Sequence, residues 1–156
     1  MAALFIPGWA ARASLYRDAL PPGWEVLQPP SFRSTGGAIE AYPAWLSDEL
    51  VRRNGPFTLG GHSFGAALAV LAAARGDADV ERLVLVEPAG LPLFKPKIRA
   101  LRDFGRQLAA DSDTLTPPDH CRRVADLAGA TFEQLAVAGG HVWFLVAGPQ
   151  LRARLA

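Results

Sequence analysis

Residues Phe57 to Arg75 read FTLGGHSFGAALAVLAAAR, and the rest of the chain can be placed from them. Phe57 to Gly60 is a short apolar run that reads as a buried strand, and Ala66 to Arg75 is rich in Ala and Leu and reads as a helix. Between them stands Gly61-His62-Ser63-Phe64-Gly65, a G-x-S-x-G spacing at a strand–turn–helix junction. The physics of such a turn is steric. The serine takes a strained backbone conformation, and strand and helix pass so close that a side chain at either flanking glycine would clash. The turn lifts the Ser63 hydroxyl above the sheet edge. It also leaves the Phe64 backbone N–H free at a helix N-terminus, where negative charge is stabilised.

Working outward, the chain alternates strand and helix signals. Ala2 to Ile6 predicts a short buried strand, broken by Pro7-Gly8-Trp9. Ala10 to Leu20 carries helix formers and is stopped by Pro21-Pro22-Gly23. Trp24 to Gln28 predicts a second strand and Ser31 to Gly37 a polar loop. Ala38 to Arg53 predicts a helix with Ile39, Tyr42, Leu46 and Leu50 on one face, kinked or started late by Pro43. Past the serine, Gly76 stops the helix, and Arg82 to Glu87 is a continuous apolar run that suits a parallel strand covered on both faces. Lys97 to Phe104 predicts a helix and Arg106 to Ala110 a weak strand. Thr116-Pro117-Pro118-Asp119 predicts a helix start, with Thr116 as cap and proline in the first position, running to Gly129. Phe132 to Val137 predicts the last strand and Pro149 to Ala156 a final short helix.

This alternation predicts an α/β protein: a three-layer α/β/α sandwich around a mostly parallel six-stranded sheet with right-handed crossovers. The 156 residues predict a single domain, 1–156. Half of the residues are apolar, a fifth are charged, and the net charge is +1, so nothing points to nucleic acid or a membrane surface as partner. The opening residues read as strand and turn rather than a leader, and no apolar run reaches the roughly 20 residues of a membrane helix. These features predict a cytoplasmic protein. Cys121, the one cysteine, reads as a helix residue without redox role.

An activated serine needs a base, and the base needs an acid to orient it. Of the three histidines, His62 is read as structural and turned away by the turn, and His120 as a solvated first-turn residue. His141 follows the last predicted strand after Gly139-Gly140, and is the candidate base. Two carboxylates compete as its acid: Glu87, ending the strongest strand, and Asp113, in Asp111-Ser112-Asp113-Thr114-Leu115-Thr116-Pro117. Either gives the chain order Ser, acid, His. The histidines lie far apart and lack paired ligand spacing, and the glycines near Ser63 lack the Lys-Ser/Thr ending of a phosphate loop, so neither a metal nor a cofactor is expected.

Four segments carry a resemblance over nearly the whole chain: LFIPGWAARASLY from Leu4, TLGGHSFGAALAVLAA from Thr58, RLVLVEPAG from Arg82, and DSDTLTPPDHCRRVADLAGATFEQLAVAGGHVWFL from Asp111. They resemble the α/β-hydrolase family: its strand–oxyanion loop opening, its nucleophile elbow, the strand after it, and its closing acid–helix–strand–histidine run. The resemblance implies a serine hydrolase acting on a small ester or thioester through an acyl-serine intermediate. It implies Ser63 as nucleophile, His141 as base, and an oxyanion hole from the backbone N–H groups of Phe64 and Trp9. It ranks Asp113 first as acid, because the family's acid is followed closely by a small or apolar residue and proline, and it keeps Glu87 as the alternative. Two departures stand out. The family's opening histidine is Pro7 here, and the first two strands and the large cap of typical members have no counterpart. Trp9, Phe64, Phe94 and Trp143 are either core residues or walls of the site mouth. The stretch GGHVWFL resembles type II thioesterases. A hydrolase-fold protein that binds without turnover is the alternative from another class, and an uncovered edge strand suggests a homodimer.

Overall fold

The computed structural model describes residues 1–76, 78–89 and 103–156. Its strands are β1 (Ala2–Ile6), β2 (Trp24–Val26), β3 (Phe57–His62), β4 (Val80–Val86), β5 (Asp103–Ala110) and β6 (Thr131–Leu135). They form one six-stranded sheet in the order β2-β1-β3-β4-β5-β6, and every pairing is parallel. The helices are α1 (Ala41–Arg53), α2 (Phe64–Arg75), α3 (Pro118–Ala128) and α4 (Gly148–Leu155), with 3-10 turns at Ala13–Leu15 and Gly140–Leu145.

Side-chain alternation divides the core into two layers. Leu4 and Ile6 of β1 and Leu83 and Leu85 of β4 join a cluster with Leu46 and Leu50 of α1 and Leu68 of α2. Phe5, Val84 and Val86 point the other way and pack with Tyr16, Trp143, Phe144, Leu151 and Leu155. Helical layers therefore cover both faces, as an all-parallel sheet requires. The topology explains which segment goes where. The chain moves one way across the sheet from β1 to β2 and the other way afterwards, so right-handed crossovers put residues 7–23 on the face opposite α1 and α2. The strand order reverses between β1 and β3, which opens a crevice at their carboxyl ends.

Several local expectations are corrected. Residues 10–20 form turns and one 3-10 turn rather than a helix. Their backbone groups are met by side chains instead: Ala13 N–H donates to Gln28 Oε1 at 2.7 Å, and Gln28 Nε2 donates to the Ala11 carbonyl at 3.2 Å. The α1 helix starts late, at Ala41, so that Pro43 falls in its first turn, where a missing N–H costs nothing. Ile39 lies outside that helix and is exposed. Thr116 is not a helix cap; α3 begins at Pro118 without a side-chain cap, and the Thr116 hydroxyl is used elsewhere. Most of the helix expected over Lys97 to Phe104, and Phe94, lie outside the described residues; Asp103 and Phe104 open β5. Among the described residues no helix is long and apolar enough to cross a membrane.

Candidate active site

The turn after β3 has the strain its sequence implies. Ser63 sits at φ 52°, ψ −119°, a region L-residues rarely occupy. It is held there from three sides: its N–H donates to the Val86 carbonyl at 2.9 Å, and its carbonyl accepts from Ala66 and Ala89 N–H at 3.0 and 3.2 Å. The glycines are dictated by contact. A Cβ on Gly61 would lie 2.5 Å from the Gly65 carbonyl, and one on Gly65 would collide with the carbonyl oxygens of Ile6 and Pro7. Those two carbonyls belong to the end of β1, so the elbow and the loop after β1 are packed backbone to backbone. A Cβ on Gly8 would stand 3.4 Å from Ser63 Cβ. Among the described residues, the N–H groups of Phe64 and Trp9 donate to no partner. Both are therefore free to serve an anionic oxygen.

The ends of β5 and β6 bring a second pair together. His141 Nδ1 lies 2.8 Å from Asp113 Oδ2. Asp113 is fully engaged: Oδ1 accepts from Leu115 and Thr116 N–H at 2.8 and 3.1 Å, and the Thr116 hydroxyl donates to Oδ2 at 2.5 Å. Burial alone would raise this carboxyl, but the bonds from Thr116, His141 and Leu115 outweigh it and hold it below its ordinary range. With Nδ1–H directed at a carboxylate, the lone pair of His141 is at Nε2, which is buried and has no hydrogen-bond partner among the described residues. No hydrogen bond joins Ser63 Oγ to His141 among the described residues.

Glu87 follows β4 with φ 47° and is fully buried. Its Oε1 accepts from Ala110 N–H at 3.0 Å, while Oε2 stands 3.5 Å from His141 Nδ1 without bonding it. Burial, aided by the neighbouring charge of Asp113, pushes its pKa up to about 9 despite the Ala110 N–H. Glu87 is thus a neutral acid at pH 7, beside a pair in which Asp113 makes the hydrogen bond to the imidazole.

His62 is not turned away from this site, as the sequence suggested. It is buried with its ring 4.8 Å from that of His141. Gly8 N–H donates to Tyr16 Oη at 3.0 Å, the Tyr16 hydroxyl meets His62 Nδ1 at 2.9 Å, and His62 Nε2 meets the His141 carbonyl at 2.8 Å. A carbonyl can only accept, so Nε2 carries the proton and Nδ1 accepts from Tyr16. Burial keeps both groups neutral, pushing His62 down to about 4 and Tyr16 up to about 12. His62, Glu87 and His141 each offer a ligand atom within 4.8 Å of the others, which corrects the expectation that the histidines are too far apart to cluster. Both nitrogens of His62 and Nδ1 of His141 are already committed to hydrogen bonds, however, so the trio is a hydrogen-bonded scaffold that a metal would have to break. No sequence signal pairs Tyr16 with His62. Only the reversal of strand order brings them together.

Beside the elbow lies a cleft of about 580 Å³ between the loops that follow β1 and β2. Trp9 and Phe64 line it; Trp143 is buried in the core, and Phe94 lies outside the described residues. His120, read from sequence as a solvated residue, is half-buried in α3, and its Nε2 is buried with no hydrogen-bond partner among the described residues.

No protein-family model and no curated protein sequence matches the chain. Solved structures do match in three dimensions. The predicted CIB-like hydrolase of Thermoplasma acidophilum superposes with a TM-score of 0.75 at 14% identity, over 95% of this chain and 81% of that one. The thioesterase RedJ of the prodiginine pathway of Streptomyces coelicolor gives 0.69 at 16% identity, over 96% and 82%. The thioesterase domain of the curacin biosynthetic pathway gives 0.72 at 17% identity, over 98% and 89%. The parallel sheet with its strained serine turn at the β1/β3 crevice, together with these likenesses, defines the class: this chain has the α/β-hydrolase fold.

Proposed function

We propose that this protein is a serine hydrolase that cleaves a small ester or thioester through an acyl-serine intermediate. Ser63 Oγ attacks the carbonyl carbon while its proton passes to His141 Nε2. The Phe64 and Trp9 N–H groups take the oxyanion. The C–O or C–S bond breaks as His141 returns the proton to the leaving group, and water then releases the acid by the same path. Asp113 holds the imidazole with its basic nitrogen free and stabilises the cation. The observation that carries this reading is the 2.8 Å contact of Asp113 Oδ2 with His141 Nδ1, at the sheet edge that also holds the strained Ser63 turn. The Ser63–His141 contact must close as substrate binds, since catalytic hydrogen bonds are often long before it does. The test is turnover of p-nitrophenyl esters together with fluorophosphonate labelling. Both should vanish in Ser63→Ala, and labelling that persists there refutes the nucleophile.

Two of the matched structures are thioesterases by name, which favours a thioester as the natural bond. Acyl-CoA hydrolysis exceeding that of the matching simple ester supports this version. The absence of a Ser63–His141 hydrogen bond favours a second reading, a binding protein on a hydrolase fold. Such a protein keeps its ligand affinity in His141→Ala and has no turnover to lose.

A further inference from the structure

The cleft beside Ser63 has a chemistry of its own. Trp9 and Phe32 are exposed there, at 46% and 48% of their surface, although large apolar side chains gain from burial. Trp9 is fixed edge-on against Phe64, with centroids 5.0 Å apart, and packs against Phe32 at 5.4 Å and Tyr42 at 5.6 Å. Gln28 pins the two loops to each other through its bonds to Ala11 and Ala13, so the cleft is preformed. Among the described residues, Arg12 is the one charged residue lining it, and no carboxylate pairs with its guanidinium. A rigid aromatic wall with one unpaired cation at its edge is complementary to an apolar body with a negative end.

We propose that this cleft binds the part of the substrate away from the scissile bond, and that it takes a ring-sized hydrophobic anion whose carboxylate pairs with Arg12. This rests on the hydrolase reading for the word substrate, but not for the binding. The experiment therefore uses Ser63→Ala protein, which cannot turn over, with titration calorimetry as readout and 2-naphthoate and 2-naphthylmethanol as probes. The naphthoate should bind roughly three- to fivefold more tightly at low salt, as suits an exposed ion pair, and the preference should shrink as salt is raised. Arg12→Gln should remove the preference and leave naphthylmethanol binding as it was. Phe32→Ala should weaken both probes alike. Equal affinities, a preference that survives Arg12→Gln, or no binding of either probe at millimolar concentration overturns the proposal. In the wild type, 2-naphthoate should also inhibit ester turnover competitively. Binding without any turnover leaves the cleft assignment standing and removes the hydrolase reading.

A different observation, the chain Gly8–Tyr16–His62–His141, carries a second inference. We infer that Tyr16 and His62 are positioning residues that set the oxyanion loop and the histidine loop relative to each other. Tyr16→Phe keeps the ring, which stacks on Phe144 at 4.7 Å, and deletes only the hydroxyl both neighbours use. It should lower kcat and the fluorophosphonate labelling rate about tenfold with KM little changed. Nitrogen NMR supplies a readout independent of activity: His62 should be neutral and protonated at Nε2 in the wild type, with its Nδ1 resonance shifted in Tyr16→Phe. A His62 protonated at Nδ1, or a folded Tyr16→Phe protein with an unchanged labelling rate, contradicts the inference.

Discussion

Glu87 shows how a residue's place can be read from sequence while its protonation state cannot. Its position at the end of β4 makes it a plausible acid for His141, yet the imidazole bonds Asp113 and Glu87 keeps its proton. Burial decides this, and burial of one carboxyl behind another is invisible in a linear pattern. The consequence for stability has a definite sign. The folded pKa is raised from 4.5 to about 9, so the folded state holds a proton that the unfolded chain releases between those values. Stability from Glu87 is complete below pH 4.5 and is lost as pH rises toward 9. His62 acts oppositely: its folded pKa is lowered from 6.5 to about 4, so its contribution is present above pH 6.5 and lost as pH falls toward 4. Between pH 6.5 and 9, then, Glu87 tilts the curve downward. Urea unfolding across that window should show the fall in wild type and a flatter profile in Glu87→Gln, where the amide copies the neutral acid. Parallel profiles contradict a protonated Glu87.

At the scale of elements, the elbow was legible because its chemistry is local: strand, serine between glycines and helix are adjacent in the chain, and steric exclusion fixes which residues fit. Asp113 and His141 are legible as candidates because each comes within a few residues of the end of a strand of the same sheet, and the ranking of Asp113 over Glu87 comes from the family resemblance. The segment from Ala10 to Leu20 was not, since its helix formers are overruled by tertiary bonds from Gln28 and Tyr16. Thr116 departs from its sequence pattern for a similar reason: a threonine before proline reads as a cap until a buried carboxylate three residues earlier claims its hydroxyl. The elbow's requirement can be measured. Gly65→Ala forces a methyl group onto the carbonyls of Ile6 and Pro7, and should cost about 3 kcal/mol or more by urea unfolding. Gly76→Ala, at φ 70° with open space around it, should cost only about 1 kcal/mol. Equal costs would mean that the close approach of β1 to α2 is not what the glycine serves.

On the scale of the molecule, one topological event organises the rest. Reversal of strand order between β1 and β3 lets the loop after β1 pack on the elbow, while β4, β5 and β6 deliver Glu87, Asp113 and His141 to the same edge. The sheet is open, with β2 and β6 at its edges. A homodimer would have β2 available, but β2 is three residues long and carries an exposed Glu25 paired to Arg53, features that discourage edge pairing. Sedimentation at micromolar concentration tests the proposed dimer directly: a species of twice the chain mass supports it, and a monomer throughout removes it. In the proposed mechanism the alcohol at the elbow is made nucleophilic by the imidazole–carboxylate pair beyond it. Peptide mass mapping after fluorophosphonate treatment tests this most directly when run in parallel on wild type, His141→Ala and Asp113→Asn. An adduct on Ser63 is expected in wild type, formed at least about a hundredfold more slowly in the two variants; an adduct on another residue, or equal rates in all three proteins, contradicts the mechanism.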